Sequence, residues 1–382
     1  MSIIYLDHQA TTPTDPAVLD EIIRVSEDHF ANSGSPHQAG FAAFRLIDDT
    51  RAAVARFLGG RKSEIYFTSG ATESNNLAIK GVADGAGGHV ITTAVEHKSV
   101  LDCCAFLGTR GYDVTVLPVD GEGRVSAAQV AAALRDDTVL VSVMLANNEV
   151  STIQPIREIG AVTRSAGVAL HCDATQGIGY VPVDVADLGV DLLSFSGHKI
   201  YGPKGVGVLY ASNDLTDETG LAPLFHGGGQ ERGVRAGTLN TAGIAGLGVA
   251  VALAAEHRTT ETTVLSELRA VFLRELAAHV DFELNSGTDD GFLPHAVNLS
   301  LTGVDAQQLL PALSDVAVST GSACNSAAQR PSHVLTAMGL SPSRIKGSIR
   351  LSVGRFTTEA DVLLAARGIA TAAGESWQEA AA

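Results

Sequence analysis

Basic residues are in short supply: 26 Lys and Arg stand against 42 Asp and Glu, a formal net charge of −16. That deficit argues against direct nucleic-acid binding and against an anionic membrane surface as partner. Only four cysteines occur, with no paired spacing, so the chain carries no disulfide framework and reads as cytoplasmic. No apolar run is long enough to span a bilayer. The strand-like Ile3-Ile4-Tyr5-Leu6 begins at once, without the basic segment and apolar run of a secretion signal. Zinc-ligand spacings, internal repeats and low-complexity linkers are likewise missing. What remains is a globular composition, 45% hydrophobic and 18% charged, and at 382 residues it can fill a large α/β domain plus a smaller one.

Short apolar runs alternate with helix-like stretches, a pattern that predicts an α/β fold with a mainly parallel sheet covered on both faces. The runs read as strands at Glu64–Thr68, His89–Thr93, Asp113–Leu117, Val139–Leu145, Ala169–Cys172, Leu192–Phe195 and Val206–Tyr210. An alanine- and glycine-rich helix over Thr238–Leu253 and a separate polar-faced helix after it mark the passage to a second unit. The expected division is residues 16–254 as the large domain and 255–382 as a small C-terminal α/β domain. Residues 1–15 are expected to pack with the small one.

The chemistry gathers just past predicted strand ends, where an α/β sheet builds its ligand crevice. Lys199, in Ser196-Gly197-His198-Lys199, is an amine that desolvation would make usable for Schiff-base chemistry. Such a lysine points to pyridoxal 5'-phosphate, which also needs an acid for its ring nitrogen and a phosphate seat. Asp173, closing Val168–Asp173, supplies a carboxylate, although alone it reads better as a helix cap. Gln176 could reach the ring oxygen. Ser69-Gly-Ala-Thr-Glu-Ser-Asn75 follows a strand and opens a helix, so the backbone of Ala71 and Thr72 could cradle a phosphate, with Ser196 and His198 adding donors. Alone, this segment too reads as a plain turn. His97 could stack on a planar ring and shuttle protons, and Asn147-Asn148-Glu149 either contacts ligand or forms a turn. Cys324 sits among small residues in Ser319–Ala327, a polar setting that favours a nucleophile over a passive thiol. Arg350 and Arg355 each offer a fork for a substrate carboxylate or a surface ion pair.

Taken together, Tyr5–Thr12, Phe67–Asn75, Glu96–Lys98, Asn147–Glu149, Asp173–Gln176, Ser196–Lys199 and Gly321–Cys324 resemble the cysteine desulfurases, in the same order and over nearly the whole chain. These are fold-type I pyridoxal-phosphate enzymes of the class V aminotransferase type. The segment before Pro331-Ser-His-Val-Leu335 is similar to the subtype with an extended cysteine loop. The resemblance implies that Lys199 carries the cofactor, Asp173 pairs with the pyridinium, Gln176 meets the ring oxygen and His97 stacks over the ring. It assigns the phosphate to Ala71, Thr72, Ser196 and His198, and to Thr238 reaching from a neighbouring subunit, hence a homodimer. Asn148 and Arg350 match positions that meet the substrate carboxylate, and Cys324 would take sulfur from L-cysteine, leave L-alanine and pass a persulfide to an acceptor protein. Iron–sulfur cluster assembly, tRNA thiolation and sulfur modification of DNA are the acceptor pathways implied. The competing expectations are a selenocysteine lyase or class V aminotransferase, which share the cofactor, and a sulfur-relay scaffold, which would have no use for it. His8 receives no role.

Overall fold

The computed structural model describes residues 3–218, 220–320 and 331–381. Among the described residues twelve strands run in chain order: β1 (Ile4–Tyr5), β2 (Ile65–Thr68), β3 (His89–Thr93), β4 (Asp113–Leu117), β5 (Thr138–Ser142), β6 (Ala169–Asp173), β7 (Leu192–Ser196), β8 (Gly207–Ala211), β9 (Phe282–Leu284), β10 (Ala296–Leu301), β11 (Val316–Ala317) and β12 (Ser348–Ser352). Seven of them form one sheet in the order β2-β8-β7-β6-β5-β3-β4. Only β8 runs against its neighbours; the other pairings in this sheet are parallel.

The apolar runs become inner strands because both faces of this sheet are covered. Every residue of β2, β3, β7 and β8 is buried. Alternate side chains divide between two cores, as the two-residue pleat requires. Ile65, Phe67, Leu193 and Phe195 join one, and Tyr66, Leu192 and Leu209 join the other.

A third core lies over the antiparallel sheet β12-β10-β9. β1 pairs in parallel with β11, and Leu6 enters this third core, so the first residues of the chain pack with the last hundred. Where the sequence suggested two helices, one 37-residue helix, Thr241–Ala277, runs unbroken between the cores. Its buried side changes partway along. Ile244, Leu247, Ala250, Val251 and Ala254 face the first core, whereas Leu265, Leu268, Phe272 and Leu276 face the third. A break in apolar phase therefore signals a change of neighbour and not a helix end. Phe272, fully buried, contributes about 1.5–3 kcal/mol to fastening that half.

Candidate active site

At the carboxyl ends of the parallel strands a cavity of about 500 Å³ opens. Nine of the residues singled out in the sequence line it: Ala71, Thr72, His97, Asn148, Asp173, Gln176, Ser196, His198 and Lys199. Each arrives because a strand stops there and the chain turns.

After β2 the backbone turns through Gly70 at φ +153°, a region L side chains avoid, and opens the helix Ala71–Ala86 without a side-chain cap. The first-turn N–H groups and the positive end of the helix dipole make this an anion seat. Close packing sets the turn, since a Cβ added to Gly207 of β8 would meet the Gly70 Cα at 2.5 Å. After β3, His97 caps the helix Lys98–Thr109, its Nδ1 accepting the Ser99 N–H at 3.1 Å. Burial pulls the His97 pKa down, the Asp173 carboxylate opposes this, and the Lys199 cation adds to the fall.

β6 ends in Asp173, whose Oδ1 accepts the Thr175 N–H at 3.0 Å and whose Oδ2 accepts the Asn75 amide at 2.7 Å. β7 leads to Lys199. Its ammonium donates to the main-chain carbonyls of Gln9 and, at 2.9 Å, Ala10. The Gln176 amide also donates to the Gln9 carbonyl, at 3.0 Å. The turn beyond Lys199 holds Tyr201 at φ 61°, a strained value for a bulky residue. Its ring is buried against the Arg355 guanidinium, 4.3 Å from the ring centroid, and Arg355 is itself paired with Asp15 and Glu261. Arg355 thus serves the lysine turn structurally. His198, next to the lysine, is held down at about 4 by burial and by the Lys199 and Lys204 cations.

The Asn147-Asn148-Glu149 stretch divides its work. Asn147 builds the turn, its Oδ1 accepting the N–H groups of Glu149 at 2.8 Å and Val150 at 2.9 Å. Asn148 lines the cavity with a buried Oδ1 that lacks a partner. Arg350 does not line the cavity. Its buried guanidinium donates to Asp7 at 2.7 Å and to the Asn148 carbonyl at 2.6 Å, and its Nε is unpartnered. Thr238 lies elsewhere, in a groove of about 770 Å³ with Asn32, Phe44, Arg51 and Glu231. Cys324 lies outside the described residues. The flanks of its segment are moored near the cavity wall: Ser319 exchanges main-chain bonds with Arg350, Ser332 donates to Glu149, and His333 lies 3.0 Å from the Glu96 carbonyl.

Sequence reasoning missed four contributors. The carbonyls of Gln9 and Ala10 carry no side-chain signal at all. Asn75 closes the Phe67–Asn75 segment, whereas Ser99 lies one residue past Glu96–Lys98 and is marked only by its place in the first turn after the His97 cap.

Residues 4–364 match the family described as aminotransferase class-V. A Bacillus subtilis (strain 168) relative, "Putative cysteine desulfurase IscS 1", is 47% identical over 97% of this chain and 98% of its own length. Among solved structures, one titled "NIFS-LIKE PROTEIN" superposes with a TM-score of 0.90 at 35% identity, covering 97% of this chain and 99% of that one. Another, "SspA in complex with cysteine", gives 0.82 at 38% identity, covering 93% and 99%.

Proposed function

The chain belongs to the class V aminotransferase family and is a pyridoxal-phosphate-dependent cysteine desulfurase, and from that premise we propose how its own residues divide the work. The convergence of Lys199, Asp173 and an uncapped helix N-terminus on one cavity carries this reading. An amine, an acid and an anion seat are what an aldehyde, a pyridine nitrogen and a phosphate require. The unpartnered Oδ1 of Asn148 and the spare lone pairs of Asp173 leave polar groups for a ligand to satisfy.

Bound there, pyridoxal phosphate supplies an electron sink for breaking bonds at the substrate Cα. Lys199 would hold the aldehyde carbon, and its amine has a seat on the Gln9 and Ala10 carbonyls when substrate displaces it. Asp173 would keep the proton on the pyridine nitrogen. Gln176 would meet the ring oxygen and His97 would stack on the ring. Ala71, Thr72, Ser196 and His198 would hold the phosphate. Asn148 would meet the substrate carboxylate from the wall, and Arg350, held behind Asn148 by Asp7 and the Asn148 carbonyl, would have to release one of these partners to make the second contact.

Cys324 would be the nucleophile. Cys103, Cys104 and Cys172 are buried, and burial raises their thiols to about 11, to about 12 and well above the usual value. None of the three suits a thiolate role. As the S–S bond forms between Cys324 and substrate, the substrate C–S bond breaks. The carbon product takes up protons to become L-alanine, and the persulfide stays on Cys324 for an acceptor protein of iron–sulfur assembly, tRNA thiolation or DNA sulfur modification. Replacing Cys324 by Ser should abolish sulfide release from L-cysteine while the cofactor stays bound. Unchanged turnover would reject a desulfurase in favour of an aminotransferase.

The working unit would be a cytoplasmic homodimer, with Thr238 reaching the other copy's phosphate. Phe44 lines the Thr238 groove, and it, Phe41 and Phe30 (83% exposed) are large exposed apolar side chains that a second copy would cover. Sedimentation of Phe30→Glu would reveal a monomer. No described helix is long and apolar enough to cross a membrane. The functional division would be residues 1–15 and 255–382 as the unit bearing the thiol, and 16–254 as the unit bearing the cofactor.

A further inference from the structure

A chain of hydrogen bonds runs along the cavity wall, through Ser99 and the buried Asn75, and joins two residues that face into it. The Asn75 side-chain amide stands 2.7 Å from Asp173 Oδ2 and 2.8 Å from Ser99 Oγ. Ser99 Oγ stands 2.8 Å from His97 Nδ1. The directions follow from what each atom can do. Asp173 already accepts the Thr175 N–H, and an acceptor oxygen of Asn75 turned toward its other carboxylate oxygen would be repelled. Asn75 therefore points its NH₂ group at both partners, one hydrogen to each. Its Oδ1 is left buried without a partner. With one lone pair taken by Asn75, the Ser99 hydroxyl is free to give its hydrogen to His97.

His97 Nδ1 then receives two hydrogens, one from the Ser99 hydroxyl and one from the Ser99 backbone N–H at 3.1 Å. A ring nitrogen that accepts carries no proton, so the proton of the neutral ring belongs on Nε2.

We propose that Asn75 and Ser99 are positioning residues that lock His97 as the Nε2–H tautomer and tie that lock to Asp173. On this account His97 meets cofactor and substrate as an N–H donor. It can become charged only by taking a proton at Nδ1, which breaks the helix cap and reverses the Ser99 hydroxyl. The charged and titratable groups around the ring are Asp173 on β6, Lys199 beyond β7, His333 from the far side of the Cys324 segment, and Asp102 on the ring's own helix. Burial and the Lys199 cation support the neutral state, in the same sense as the hydrogen-bond directions.

The inference rests on the proposed placement of His97 and Asp173 at the cofactor, but its test does not need the cofactor. Histidine-selective ¹⁵N NMR of the full-length protein, without and with pyridoxal phosphate, reports which ring nitrogen is protonated and at what pH the ring charges. Wild type should show the Nε2–H form at and below pH 6.5, the ordinary histidine value. Ser99→Ala removes the hydroxyl donor but not the backbone cap, so the His97 pKa should rise, and Ser99→Thr should restore it. Asn75→Asp should raise it further, because the Ser99 hydroxyl would then turn toward the new carboxylate. A proton on Nδ1 in the wild type would overturn the proposal, as would a His97 pKa that is the same in all three variants. Should Asn75→Asp fail to fold, the Ser99 pair alone decides. A correct tautomer in a protein that binds no pyridoxal phosphate would count against the cofactor reading and leave the relay standing.

Discussion

Two cavities of nearly equal size open at opposite ends of the large sheet, about 500 Å³ at the carboxyl ends of its parallel strands and about 480 Å³ at the amino ends. The first receives the N-terminus of the helix Ala71–Ala86 and the His97-capped start of Lys98–Thr109. The second is lined by three helix C-terminal ends, Ala86 and the left-handed cap glycines Gly167 and Gly189, together with the first turns of two short helices, Val185–Leu188 and Asn213–Glu218. The carboxyl end thus receives the N–H groups and positive dipole ends of two longer helices, whereas the amino end mixes both polarities. At the amino end two charged groups, Asp191 and Arg164, are spent on backbone. Asp191 accepts the Leu170 N–H at 2.8 Å, and Arg164 donates to the Ala186 carbonyl at 3.3 Å. At the carboxyl end Asp173, Asn148 and Lys199 converge on open space. Strand polarity and the side chains left facing the cavity, and not its volume, distinguish the site.

Changes at the carboxyl end should therefore be costly and changes at the amino end nearly silent. Lys199→Ala should lower desulfuration by about 10³-fold or more, because it removes a group that acts with the rest as a unit. Sulfide release from L-cysteine measures this. Thr72→Val should leave the fold intact and weaken pyridoxal-phosphate binding about 5–10-fold, corresponding to about 1 kcal/mol for one hydrogen bond. Titration of the cofactor absorbance reads that change, and unaltered affinity would remove Thr72 from the phosphate seat.

The two ends should also respond oppositely to acid. His198 is depressed to about 4, so the unfolded chain binds that proton first, and stability falls as pH drops from about 6.5 toward about 4. Burial raises Asp191 instead, so its contribution falls as pH rises past the usual carboxylate value. His198→Gln should flatten the acid side of a Tm-against-pH curve, and a curve that keeps its slope would show that other groups set it. Arg164→Ala should have the smallest effect, within about 0.5 kcal/mol of stability and with kcat/KM unchanged. A clear loss of turnover in that variant would erase the contrast between the ends.

The sequence made the carboxyl end legible because its chemistry sits on side chains just past apolar runs. Lys199, Asp173 and His97 could be placed from strand ends alone. The seats of Gln9 and Ala10 could not, since a main-chain carbonyl looks alike at every position. Asn75 was hidden because a polar residue in a helix ordinarily faces water, whereas here it is buried under Asp173. The long helix was misjudged because hydrophobic phase reports which core a turn faces, and Thr241–Ala277 faces two. Arg355 fitted a substrate fork as well as an ion pair, and only its partners Asp15 and Glu261 separate the two.

The central claim is that one amine at the carboxyl end of the sheet carries the cofactor. Borohydride reduction of the protein saturated with pyridoxal phosphate, followed by proteolysis and mass spectrometry, tests it directly. The account predicts a single pyridoxyl group on the peptide containing Lys199. An adduct on another lysine, or none, would contradict it.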